Sequence, residues 1–426
     1  PTAEPPVTEA EGEAAYEAFV EGNLRRNYIA NFAHGMLGMT GFRLIMAPTF
    51  VPAYLYLLTG SPFLVGLGQA LMQVGAIASP VLGASQIEHR RRVMPAAVSI
   101  GTMMRIQMLG IALGGWFLNG TPLVVATFFF LFMLGFFLGS QRVAFQVLMA
   151  KVIPIRMRGR LQAWRNLAGG AIAAALSFWA GIHLIENNAL GNGYATTFMV
   201  AFVLTSLGLT ALYIFMREPE SPTVKMRMRV FDRIRQFPEL LSDRDYRNFL
   251  IAQLLATMGR IAIPFCIIHA GSVMEVGGAA IGWFSLAFLG ADTVTNLVWG
   301  TLGDRYGFRL TFIGTLAVWA ASMVVLILAT EPWQFFIVFI GLGTAMSGYM
   351  LSVTTLVLEF GHRDDIPMRL ALSTTAETSM AALGPLLGGL IALFFGLVPV
   401  FWLALVSLLA GLAVILFAVR EPRHLN

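Results

Sequence analysis

Seven ionisable side chains sit inside long apolar stretches: Arg43, Arg105, Arg142, Arg165, Arg260, Asp292 and Glu377. A charge at the centre of a hydrocarbon layer costs roughly 2.5–3.5 kcal/mol on insertion scales, so each needs an opposite charge or a wet cavity. Five of the seven are guanidinium groups. These stay protonated and present a planar fork suited to carboxylate or phosphate. Such an excess calls for anionic partners. Arg43 and Arg260 lie near the middle of their stretches. Arg43 follows the Arg26-Asn27 pair by 17 residues, and Arg260 follows the Arg247-Asn248 pair by 13. Their depths therefore differ by about one helical turn. Two such arginines facing each other across an internal cavity would hold an anion. The alternative is that Asp292, also near mid-stretch, pairs with Arg260 and merely ties that region together. Asp292 and Glu377 are the acids placed to carry a coupling proton.

Further polar residues fall on shared helical faces. Gln253 and Arg260 are two turns apart; Asp292, Thr295 and Asn296 share a face, as do Ser373, Thr374 and Glu377, and Gln69 and Gln73. Asn31 and His34 nearly do. His34, Gln253 and Asn296 are thus added to the expected solute contacts. Interhelical hydrogen bonding is the plainer reading of any one of these residues. Arg105 is expected to be structural. Arg142 and Arg165 lie nearer the ends of their stretches, where they would build a gate network or touch ligand. No paired catalytic carboxylates, nucleophile constellation, metal cluster or phosphate loop of the form G-x-x-x-x-G-K-[ST] is visible. The chemistry is therefore that of binding. An enzyme is not expected, and neither is a cofactor or a metal.

The elements that must position these groups are membrane helices. Of 426 residues, 57% are hydrophobic and 12% charged, against about 25% charged in soluble domains. A helix needs roughly 20 apolar residues to cross the hydrocarbon core. Twelve stretches qualify, at about 28–57, 62–87, 94–117, 122–149, 160–185, 195–216, 247–274, 279–302, 309–329, 333–358, 368–395 and 398–419. The fold class is all-α integral membrane. Connections after the even-numbered stretches carry Arg90–Arg92, Lys151, Arg156, Arg158, Arg160, the 217–246 linker, Arg305, Arg309, Arg363 and Arg369. The alternate connections carry no Lys or Arg, and their charges are Glu186, Glu275 and Glu331. The positive-inside rule then places both termini in the cytoplasm, as for a bacterial inner-membrane protein. The net charge of +5 is a topology signal and does not point to nucleic acid. The lone Cys266 excludes a disulfide framework. Residues 1–22 are expected to be a disordered acidic tail, with an amphipathic turn around Tyr16–Val20 as the alternative.

The chain repeats itself. Arg26-Asn27-Tyr28 opens the first half and Arg247-Asn248-Phe249 the second; Arg217-Glu218-Pro219 and Arg420-Glu421-Pro422 close them. This divides the chain into six-helix bundles at 23–216 and 247–426. Between them lies a linker, 217–246, whose basic and apolar residues suggest a helix lying on the anionic membrane surface. After the eighth stretch, the run Gly300-Thr301-Leu302-Gly303-Asp304-Arg305-Tyr306-Gly307-Phe308-Arg309 resembles the G-x-L-x-D-R-x-G-x-R signature of the major facilitator superfamily. The equivalent after the second stretch is degenerate, with Gly83 kept and Glu88 one place late. The resemblance implies two pseudo-symmetric six-helix bundles, alternating access, and a cytoplasmic latch at Gly300, Asp304, Arg305, Gly307 and Arg309, with Glu88, Arg142 and Arg165 beside it. It also likens the Arg43/Arg260 pair to the anion clamp of organophosphate:phosphate antiporters. Gly384-Pro385-Leu386-Leu387-Gly388-Gly389 looks like the family's antiporter motif but stands in the eleventh stretch, so it is read as close helix packing. The expected activity is secondary transport of a small organic anion or phosphate-type solute, coupled by antiport or proton symport, by a monomer in the bilayer. The alternative is a proton-coupled exporter of amphipathic, drug-like compounds.

Overall fold

The computed structural model describes residues 9–87, 90–220, 240–360 and 366–420. Every regular element in them is a helix. Twelve helical spans follow one another: Leu24–Thr59, Pro62–Ile87, Met94–Phe117, Gly120–Val152, Ile155–Ile185, Gly193–Phe215, Arg244–Ala270, Gly278–Tyr306, Phe308–Leu328, Pro332–Glu359, Ile366–Phe395 and Leu397–Ala418. Eleven are long and apolar enough to cross a membrane. In the second span, the apolar part is Pro62–Ile77. The chain is an integral membrane protein. Its spans match the expected stretches to within a few residues, because turn residues punctuate them: Gly60 and Gly120 take positive φ where the chain reverses.

The spans pack in two bundles that repeat one plan. In the first half, span 1 packs on spans 5 and 6, span 4 on spans 2 and 3, and span 3 on span 6. In the second half, span 7 packs on 11 and 12, span 10 on 8 and 9, and span 9 on 12. The halves meet along two long crossings, span 2 with span 11 and span 5 with span 8. The repeated Arg-Asn marks have a physical role. The Asn27 side chain donates to the Arg217 carbonyl (2.9 Å) and accepts from the Arg217 N–H (2.8 Å), clasping span 1 to the end of span 6. Asn248 donates to the Ala418 carbonyl (2.8 Å), clasping span 7 to span 12. Glu218 accepts from the N–H groups of Val93 and Met94 at the start of span 3 and pairs with Lys151 at 2.6 Å.

Two spans are interrupted at matching depth. Span 1 breaks between Met46 and Phe50, at Pro48; span 7 passes through a 3₁₀ turn, Arg260–Ala262, just before Pro264. Proline lacks an N–H, and its ring crowds the carbonyl four residues back, here that of Arg260. Arg43 lies in the last turn before one break and Arg260 opens the other.

The expected disordered tail is corrected over its second part. Glu9–Gly22 is helical. It docks on the first bundle through Tyr16, which donates to the Lys151 carbonyl (2.9 Å), and through Glu21, which pairs with Arg156 (2.7 Å). Residues 221–239, which include most of the expected surface helix, lie outside the described residues, as does Glu88.

Candidate functional site

Between the bundles lies a cavity of ≈ 640 Å³ walled by spans 1, 2, 4 and 5 and, symmetrically, by 7, 8, 10 and 11. Its charged lining is Arg43, Arg142, Arg260 and Asp292, and its uncharged polar lining includes Gln69, Gln73 and Gln162. The rest is largely apolar: Met39, Met46, Met72, Met346 and Met350 line it with Phe42, Ile45 and Phe288. Flexible thioethers give a wall that adapts to shape.

Both mid-depth arginines are paired. Arg43 donates to Asp292 at 2.7 Å, with Thr293 beside it at 3.4 Å, so this ion pair crosses from the first half to the second. Gly170 makes the approach possible: a Cβ there would come within 2.9 Å of the Arg43 guanidinium and collide with Thr293. Arg260 pairs with Glu377 at 3.2 Å, inside the second half. The alternative Asp292–Arg260 pairing is therefore corrected: Arg43 reaches Asp292 across the halves, where Gly170 leaves room for it, and Arg260 takes Glu377 instead. Gln253 donates to Glu377 (3.3 Å) and accepts from Ser373 (2.7 Å), fixing the acid from behind. Arg142 faces the cavity with no ion pair among the described residues.

Other expected contacts stand apart from this wall. His34 is buried between helices, its ring tilted against Phe145 with centroids 4.8 Å apart. Gln253 is fully buried and reaches the cavity only through Glu377. Asn296 donates to Ser347 at 3.1 Å, bridging spans 8 and 10. Arg105 donates to the Thr205 and Gly101 carbonyls. Of the signature loop, Gly307 takes φ +94° at the turn between spans 8 and 9, and Arg309 donates to the Ile415 and Leu416 carbonyls of span 12. Arg305 lies over the Tyr306 ring, and Asp304 is exposed on the side that carries both chain ends. A Cβ on Gly300 would meet only Leu351, at 3.9 Å, so this glycine allows no close crossing in this conformation.

On the side away from the chain ends, the halves are shut. A Cβ on Gly66 would overlap the Pro385 carbonyl, and one on Gly389 would touch Phe63. Gly181, Gly278 and Gly282 make the matching crossing of spans 5 and 8. Glu186, at the end of span 5, accepts from the Ala279 N–H at 2.9 Å and so caps span 8 of the other half. Thr49 and Ser285 bond at 2.5 Å beneath this seal. The Gly-Pro-x-x-Gly-Gly run thus serves packing against spans 2 and 7, with Gly388 set against Ile261 and Phe265. At the other end, Asp243 caps span 7 through the Asp245 and Tyr246 N–H groups and pairs with Arg369 of span 11 at 2.7 Å. Burial alone would raise the Asp243 carboxyl. The Arg369 hydrogen bond, the Tyr246 N–H, the Arg369 charge and the Asp245 N–H outweigh burial and hold it below its ordinary range.

Sequence reasoning missed the cross-half contacts of Thr49 with Ser285 and of Gly170 with Thr293. The signals were a lone hydroxyl and a Gly-Gly pair, each common in membrane helices for other reasons.

Comparison with known proteins agrees with this geometry. The family model described as Major Facilitator Superfamily matches residues 249–426. A curated relative, "Multidrug resistance protein MdtG" of Escherichia coli (strain 55989 / EAEC), is 30% identical over 184 residues. That alignment covers 41% of this chain and 45% of the relative, so it spans less than half of the relative's length. Among solved structures, a D-xylose-proton symporter superposes with a TM-score of 0.72 at 14% identity, over 94% of this chain and 99% of its own. The nucleoside transporter NupG superposes with 0.64 at 12%, over 92% and 97%.

Proposed function

We propose that this chain is a secondary transporter of the major facilitator superfamily that carries an amphipathic organic anion; the family match over residues 249–426 and the shared fold support this. The observation that supports this most is the cavity wall, where Arg43 and Arg260 are paired with Asp292 and Glu377 while Arg142 keeps an excess positive charge, with no ion pair among the described residues, beside Met, Phe and Ile side chains. A lipophilic cation would meet repulsion there. An apolar body with one acidic group finds both a yielding wall and fork-shaped donors. Arg142 receives the acidic group first, because no carboxylate among the described residues occupies it. The group then competes with Asp292 for Arg43. An acid left in a low-dielectric interior without its cation is stable only as the neutral form. Asp292 accordingly takes up a proton as the solute arrives, and breaking the Arg43–Asp292 bridge frees the two halves to move. The basic connections orient the chain with both ends in the cytoplasm of a bacterial inner membrane, so the cavity described here lies on the cytoplasmic side of the seal.

A second reading, proton-coupled export of drug-like compounds, draws on the printed name of the MdtG relative and on the apolar share of the lining. Flux in proteoliposomes under an imposed pH gradient separates the two. With benzoate-like and longer aryl acids as probes, the expected result is saturable, gradient-driven flux that drops about tenfold or more in Arg142→Gln. Flux of lipophilic dye cations with none of the acids would overturn the anion reading in favour of the second.

A further inference from the structure

The first bundle contains buried cationic charge that the solute cavity does not use. We infer that a small monovalent anion, halide-sized, is held at Arg165 between spans 1, 4 and 5, in a site separate from that cavity.

Arg165 is 4% exposed and has no acidic partner among the described residues. Its Nε–H meets no acceptor. Its Nη1 reaches only the Gln162 oxygen at 3.4 Å and the Met149 sulfur at 3.7 Å, both long contacts. The guanidinium lies 4.7 Å over the Phe145 ring. Against the same ring lies His34, 6% exposed, with both ring nitrogens unpartnered. Whichever tautomer His34 adopts, one of those nitrogens carries a hydrogen with nowhere to donate. Arg165 and His34 thus each hold a buried N–H without an acceptor against the same Phe145 ring, and no acidic group among the described residues pairs with either. Nearby, Arg105 adds a second buried guanidinium that is bonded to backbone carbonyls and not to a carboxylate.

A buried charge without a counter-charge costs several kcal/mol, and membrane interiors aggravate that cost. The protein has made room for Arg165: at Gly35, any Cβ would overlap its Nε. A side chain kept in place by a glycine, and without an acid among the described residues, is arranged for a ligand that arrives from solution. Arg165 is not part of the cavity wall, and Gln162 stands between the two. A bulky solute is thereby excluded, and a halide-sized ion is favoured over the carboxylate of the transported molecule. Counting from Gly170, which is level with Arg43, the site lies five residues toward the chain ends, or about 7.5 Å along span 5.

The test uses the full-length protein in detergent at constant ionic strength, with chloride or bromide replaced by gluconate, a bulky anion. The expected result is an unfolding temperature that rises saturably with halide in the parent protein and is insensitive to halide in Arg165→Gln. His34→Phe, which keeps the guanidinium, is expected to fold and to need about tenfold more halide for the same rise. It decides the matter by itself if Arg165→Gln does not fold. A parent protein indifferent to halide, or a response unchanged in either folded variant, would overturn the site. Acetate reproducing the full halide effect would reassign the site to the solute's carboxylate.

Discussion

Asp292 carries two jobs at once: it neutralises Arg43, and it joins the halves at 2.7 Å. Removing only its charge separates them. Asp292→Asn leaves Arg43 without a competitor, so binding of an aryl acid should tighten by about tenfold, or 1.4 kcal/mol. Equilibrium binding in detergent reads this, and weakened binding would mean that Arg43 does not contact the solute. Asp243 makes a contrasting case at the end of span 7. Its carboxyl is held below the ordinary range in the folded protein. Its stabilising contribution is therefore complete above about pH 4, the unfolded aspartate value, and is lost as pH falls through the lower folded value. Asp243→Asn should lower the unfolding temperature at pH 7, and the gap from the parent should close below about pH 4. A gap that stays constant with pH would assign the loss to the span 7 cap alone. At this scale, residue types were legible in the sequence but partners were not. That Arg43 and Arg260 matter follows from the cost of burying charge. That Arg43 meets Asp292 and Arg260 meets Glu377 depends on how spans far apart in the chain pack together, which hydropathy does not register.

Helical elements here are shaped by proline and by glycine to opposite ends. Pro48 and Pro264 interrupt spans 1 and 7 and place the arginines at the breaks. Gly66, Gly389, Gly181, Gly278 and Gly282 let spans 2 and 11, and 5 and 8, press together away from the chain ends. Gly66→Leu should force span 2 off span 11 and open that seal. In a Cys266→Ala background, a cysteine placed at Phe63 should then react several-fold faster with a membrane-impermeant maleimide. An unchanged rate would show that the crossing does not form the seal. The Asn27 clasp is a second element-scale device. Asn27→Ala loses two hydrogen bonds to Arg217 and should cost about 2 kcal/mol of stability, read as a lowered midpoint of thermal unfolding. The spans themselves were fully readable, since roughly 20 apolar residues between turn signals leave little choice. The helix Glu9–Gly22 was not, because an Ala- and Glu-rich segment of one apolar side looks like a tail until Tyr16 and Glu21 find their partners.

For the whole molecule, symmetry was legible and state was not. Short matching marks at the two half-starts and half-ends foretold two bundles with one packing plan, and the structure shows what the marks do: each asparagine ties the first helix of its half to the last. The direction in which the cavity lies depends on contacts between halves far apart in the chain, and no local pattern encodes them. Residue, element and molecule meet in one event: a solute's acidic group takes Arg43 from Asp292 and thereby moves a proton and unlocks the halves. Calorimetric titration of an aryl acid into the purified protein, in two buffers of different ionisation enthalpy, counts the protons exchanged on binding. The account predicts uptake of close to one proton per solute in the parent protein and none in Asp292→Asn. Binding without proton uptake in the parent, or the same uptake in the variant, would contradict it.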